Sequence, residues 1–145
     1  MEDKYDVDIK LNSTIERPDM PREATVSHTQ GQLFIKDKTY YLRYTENMEG
    51  IGDVSNTIKM DDTEAVVIRK GPVSMRQHLV PGEETQGVYH NPFGQMTMVT
   101  NTKQCAILWD SGKAKGHIDL RYHLKIQGEP VGAFKLIFEI QEVHT

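Results

Sequence analysis

The stretch His117-Ile118-Asp119-Leu120-Arg121-Tyr122-His123-Leu124-Lys125-Ile126 decides the architecture of this chain. Ile118, Leu120, Tyr122, Leu124 and Ile126 are apolar or aromatic, whereas His117, Asp119, Arg121, His123 and Lys125 are charged or basic. Successive side chains of an extended chain point to opposite faces, so this alternation describes a strand with one face in a core and one in water. A helix would spread the same apolar residues around its whole circumference.

The same period recurs on both sides of that strand. Phe134, Leu136, Phe138 and Ile140 share a face in the last apolar run, and Cys105 alternates with Ile107 and Trp109 upstream. Earlier still come Ala65 to Arg69, then Val54, Ile58 and Met60 with Ser55, Thr57 and Lys59 between them. Tyr40, Leu42 and Tyr44 follow the pattern, as do Tyr5, Val7, Ile9 and Leu11 with Asp6, Asp8 and Lys10 between them. Val73 to Val80 fits both a strand and a helix, and the shared face of Val73, Met75 and Leu79 favours the strand.

Turn signals separate these runs: Asp61-Asp62, Gly71-Pro72, Pro81-Gly82, Asn91-Pro92, Ser111-Gly112 and Gly128-Glu129-Pro130. Connections this short join antiparallel neighbours, because a parallel crossover needs a dozen or more residues. Composition agrees: 34 Val, Ile and Thr residues stand against 13 Ala and Leu, a balance that suits pleated surfaces. Arg17-Pro18-Asp19-Met20-Pro21-Arg22 reads as a loop between strands. The expectation is one all-β domain over residues 1–145, with about ten strands and little or no helix. Curling so many strands into an up-and-down antiparallel barrel disposes of the sheet edges.

The chain has 145 residues and a formal net charge of −4, which argues against nucleic acid as a partner because phosphate binding relies on clustered Lys and Arg. Its single cysteine, Cys105, allows no internal disulfide and fits a reducing, cytoplasmic setting. The acidic beginning Met1-Glu2-Asp3-Lys4 lacks the apolar stretch of a signal peptide, and no segment has the length of apolar residues that a membrane span needs.

Several blocks resemble a known family in order along the chain. These are Tyr40-Tyr41-Leu42-Arg43-Tyr44, Asn56-Thr57-Ile58-Lys59-Met60, Arg69-Lys70-Gly71-Pro72-Val73-Ser74-Met75 and Tyr89-His90-Asn91-Pro92-Phe93-Gly94-Gln95-Met96. Gly116-His117-Ile118-Asp119-Leu120-Arg121-Tyr122 and the Val131-Gly132 strand continue the match. The chain thereby resembles the YwiB-like family. That resemblance implies a calycin, a lipocalin-like closed barrel of bacterial origin, and implies no activity, because the family has no assigned function. One departure is Asn91, where Thr is commoner before the Pro-Phe-Gly turn; it removes a hydroxyl from that position.

Chemistry-bearing residues are thinly spread. His117 and His123 share a face but stand roughly 20 Å apart along the strand, too far for one ion. His117 with Asp119 supplies only two ligands, and His28, His78, His90 and His144 show no ligand spacing. Cys105 belongs with a packed core, where a thiol is inert, and Ser74 lacks a nucleophile elbow. Asp6 and Asp8 read as a solvated edge, Asp61-Asp62 and Glu83-Glu84 as turns. Gly50-Ile51-Gly52 lacks the third glycine of a dinucleotide loop. No cofactor and no metal follow from these residues.

Arg69 is different, because it shares a face with Ala65 and Val67 and enters the barrel if they do. A buried guanidinium must be paired. Its partner is either internal, from Tyr44, Tyr89 or Glu46, or the carboxylate or phosphate of a ligand held bidentately. Met75, Met96 and Met98, with Tyr40, Tyr44, Tyr89 and Phe93, supply the residues for an adaptable apolar wall. The functional expectation is a non-catalytic barrel that binds a small apolar or amphipathic ligand through Arg69, Tyr44, Met75, Tyr89, Met96 and Met98. The alternative is an interaction module acting through its outer surface or an unpaired edge strand. An enzyme would need converging titratable groups, and the sequence offers none.

Overall fold

The computed structural model describes residues 2–143; the histidine at 144 considered above lies outside the described residues. Ten strands follow one another: β1 (Glu2–Glu16), β2 (Glu23–Lys36), β3 (Thr39–Met48), β4 (Gly52–Met60), β5 (Ala65–Lys70), β6 (Ser74–Leu79), β7 (Glu84–Asn91), β8 (Gly94–Asp110), β9 (Lys115–Ile126) and β10 (Glu129–Glu142). Each pairs antiparallel with its neighbours in sequence. β1 closes the ring on β10, from Val7 opposite Glu142 to Glu16 opposite Ala133. The ambiguous stretch around Met75 is a strand.

Closure corrects one sequence-based expectation. β1 lies between β2 and β10, so Asp6 and Asp8 stand on a solvated outer face but not on an edge. Asp8 accepts a hydrogen bond from Gln30 Nε2 across the β1–β2 ladder (3.0 Å). Among the described residues every strand has two partners, although β6 and β7 pair over only Ser74 to Arg76.

Side chains of the turns fix the hairpins. Asp61 Oδ1 accepts from the backbone N–H of Thr63 and Glu64 and from the Thr63 hydroxyl, which holds its carboxyl below the usual range. Asp110 Oδ1 accepts from the N–H of Gly112 and Lys113. Asn91 Oδ1 accepts from the N–H of Phe93 (2.8 Å), so the residue that departs from the family pattern serves as the turn's own acceptor. In the β6–β7 seam, Gly87 is needed for closeness: a Cβ there would stand 2.6 Å from the Arg76 carbonyl oxygen.

The chain's two ends and the β2–β3, β4–β5, β6–β7 and β8–β9 connections define a terminal end of the barrel; the other five connections define a hairpin end. Alternation puts one set of side chains inside. A bulge between Thr102 and Gln104 in β8 shifts its phase, so Thr100 and Thr102 face inward before it, and Cys105, Ile107 and Trp109 after it. The apolar core fills the middle and reaches toward the terminal end, where Tyr5, Ile35, Tyr40, Ile107 and Trp109 are only partly buried against it. Val7, Leu33, Leu42, Ala65, Leu79, Ile118 and Leu120 have no measurable exposure, and Ile58, Met60 and Phe138 scarcely more. Each larger side chain so buried contributes about 1.5–3 kcal/mol of transfer free energy. Tyr5 and Trp109, with ring centroids 5.1 Å apart, pack against this core at the terminal end.

Candidate functional site

The hairpin end of the interior is built differently. A ladder of registered neighbours runs across its wall: Gly31 opposite Tyr44, Tyr44 opposite Asn56, Asn56 opposite Arg69, Arg69 opposite Met75, Met75 opposite Tyr89, and Tyr89 opposite Met96. Five of the six residues singled out in the sequence thus stand in one register row. The row also carries Asn56, a fully buried amide that sequence reasoning passed over. A signal for it existed, because Asn56 interrupts the apolar phase of Val54, Ile58 and Met60. Gln77, between Met75 and Leu79, breaks its own strand's phase in the same way.

Arg69 enters the lumen with 28% of its side chain exposed, and its Nη2 lies 3.7 Å from Glu46 Oε1, whose side chain is 42% exposed. That separation is well beyond the 2.7–2.9 Å of a tight charge-assisted hydrogen bond. Asn56 Nδ2 donates to Glu46 Oε1 (3.5 Å) and to the Val54 carbonyl (3.4 Å). Two buried atoms of this cluster, Arg69 Nε and Asn56 Oδ1, have no partner. Nearby, Gln77 Nε2 donates to the Thr100 hydroxyl (3.0 Å) and also hydrogen-bonds Tyr122. Burial pushes the Tyr44 and Tyr122 phenols up to about 12, while the Arg69 charge pulls each back down.

Around this polar cluster the wall is apolar and incompletely covered. Leu11, Met75, Tyr89, Met96, Leu124, Phe134 and Leu136 all belong to the inward phase, yet are only partly buried. Tyr122 and Phe134 stack with centroids 5.1 Å apart and planes 7° from parallel. Met98 differs from its neighbours, being 2% exposed and packed at the Gly87 seam.

Two residues of the expected wall lie elsewhere. Tyr40 pairs with Met60 near the terminal end, because β3 starts there. Phe93 is 97% exposed at the tip of the β7–β8 turn, where the Asn91 Oδ1 bond holds the backbone outward. Arg43 and Arg76 are on the solvated face, and Arg43 lies over the Phe34 ring.

Elsewhere, Cys105 is buried in the core and its thiol is pushed up to about 11, which keeps it protonated and unreactive at neutral pH. Asp119 is engaged by both Arg121 Nε and Nη2 (2.9 Å each), away from His117. Among the described residues no three His, Cys, Asp or Glu side chains are grouped to hold a metal ion. A groove of about 990 Å³ crosses the outer wall over β5, β6 and β7. Lys59, Arg69, Lys70 and Arg76 line it against Asp61 and Glu64, an excess of cations, and Arg69 and Met75 thus border this groove as well as the lumen.

A family model described as "Domain of unknown function (DUF1934)" matches residues 9–137. The chain is similar to the uncharacterized beta-barrel protein YwiB of Bacillus subtilis (strain 168), with 30% identity over 129 residues, 89% of this chain and 88% of that protein. Its fold is similar to the crystal structure of the ywiB protein from Bacillus subtilis, with a TM-score of 0.86, 26% identity, and coverage of 97% of this chain and 94% of that one.

Proposed function

This chain belongs to the DUF1934 family of YwiB-like β-barrel proteins, and on that premise we propose that it is a non-catalytic container for a small amphipathic molecule. In this reading the barrel is calycin-like and cytoplasmic. The ligand's polar group meets Arg69, Tyr44 and Asn56, and its apolar part lies along Met75, Tyr89, Met96, Leu124, Phe134 and Leu136. One observation carries the reading: Met75, Tyr89, Met96, Leu124, Phe134 and Leu136, apolar and of the inward phase, are only partly buried, whereas Val54 at the same end and the residues at the core's centre are sealed. Met98, fully buried and on the same inward face as Met96, packs against Gly87 one step further into the barrel.

Fluorescence titration of the purified barrel with cis-parinaric acid tests this. Saturable uptake of one molecule per barrel is expected, weakened about tenfold by Leu136→Trp, which enlarges the side chain next to Phe134 on the same inward face. An absence of saturable uptake overturns the reading. The alternative, an interaction module, draws on Phe93 at its exposed turn tip. A stoichiometric protein partner lost on Phe93→Ser, with no uptake of the probe, would decide for it.

A further inference from the structure

We propose that Glu46 is a counter-ion that occupies the anion seat at Arg69, and that the ligand's own carboxylate displaces it. This inference rests on the container reading above and specifies its ligand class as an amphipathic monocarboxylate. Four observations place the seat. Arg69 projects from β5 into the lumen, and its Nε is buried without an acceptor. Asn56, 1% exposed and in register with Arg69, keeps its Oδ1 unpartnered and its Nδ2 turned to Glu46. Glu46 approaches Arg69 through one oxygen only, at 3.7 Å. Its side chain is 42% exposed, so it has water to retreat into.

A guanidinium offers five donors in a planar fork that matches a carboxylate with two parallel bonds. Glu46 leaves most of that fork unused. Its own strand fixes the approach: Glu46 pairs with Val54, one same-face step toward the hairpin end from the Tyr44–Asn56–Arg69 row, and so reaches Arg69 diagonally. A carboxylate arriving on a free molecule has no such tether and can seat itself in the plane of the fork. Two carboxylates at one guanidinium repel each other, so the ligand must drive Glu46 out toward water. Glu46 therefore competes with every anionic ligand and with no neutral one.

The pair cis-parinaric acid and its methyl ester, which share a tail and differ in charge, separates these effects. In the wild-type protein the acid should bind more tightly than the ester. Glu46→Gln, which keeps the size and hydrogen-bonding of the side chain, should tighten the acid about fivefold to tenfold and leave the ester within about twofold. Arg69→Met should abolish the preference for the acid while the ester still binds. Unchanged or weakened binding of the acid to Glu46→Gln overturns the inference, the denaturation midpoint confirming that the variant is folded. If both probes bind wild type and neither variant alters their ratio, the inference falls and the container reading stands. If neither probe binds wild type, both fall together.

Discussion

Phe138 and Phe134 sit four residues apart on the same face of β10 and pack in one core, yet they are buried to different degrees. Phe138 is 1% exposed, beside Tyr44 (ring centroids 6.1 Å apart) and within the apolar core. Phe134 is only partly buried, stacked on Tyr122 where the polar cluster begins. One period of alternation produced both positions. The difference teaches that inward-facing and fully buried are separate properties in a barrel: the first is set by strand phase, the second by what the opposite wall supplies.

The sharpest way to break that comparison is to truncate both rings. Phe138→Ala should cost about 3–5 kcal/mol, the range for emptying a filled core site. Phe134→Ala should cost less than half of that, since its ring is already partly wet. Urea unfolding measures both, and equal losses would mean that the hairpin end is packed as fully as the centre.

A second test uses the phenols that border the two regions. Tyr44 and Tyr122 have folded values near 12 against an ordinary 10.0. Above pH 10 the unfolded chain therefore loses protons that the folded chain retains. The stability they confer is full below pH 10 and declines as pH rises through 10 toward 12, by at most about 1.4 kcal/mol per pH unit for each tyrosine. Unfolding midpoints between about pH 9 and about pH 12 should fall accordingly, and less steeply in Tyr44→Phe.

Arg69→Met sharpens the contrast at lower cost. Folding stability should change by no more than about 1 kcal/mol, because the pair with Glu46 is long and open to water. The phenolate absorbance of Tyr44 and Tyr122 should nevertheless move to still higher pH, since the charge that favours phenolate is gone. A large loss of stability would make Arg69 a structural strut. The smallest effect belongs to Phe93→Ser at the exposed tip, expected within about 0.5 kcal/mol of wild type by the same unfolding assay.

Much of this was legible in the residues. The alternation of β9, the turn dipeptides and the excess of branched side chains specify antiparallel strands; they suit two stacked sheets as well as the closed ring that the structure forms. The phase shared by Ala65, Val67 and Arg69 ties the guanidinium to their face, but Val66 and Ile68 make the opposite face equally apolar, and only the pairing with Asn56, Ile58 and Met60 selects the first as the inside. Phe93 and Tyr40 were misplaced for different reasons. Composition cannot distinguish an aromatic in a strand from one at a turn tip, and it does not say at which end of the barrel a strand begins. Asn56 and Gln77 were visible as polar residues in an apolar phase, but their partners lie on other strands.

The sequence by itself determined the strands, their antiparallel order and, β5 apart, the inward phase, because each depends on neighbours a few residues away. Only the tertiary structure decided the register that aligns Tyr44, Asn56, Arg69, Met75, Tyr89 and Met96, and the end of the barrel at which they meet. Those depend on how far each strand slides past the next as the ring closes, and on the one-residue bulge that resets the phase of β8. Burial at any inward position is then a property of the whole circumference, which local alternation does not contain.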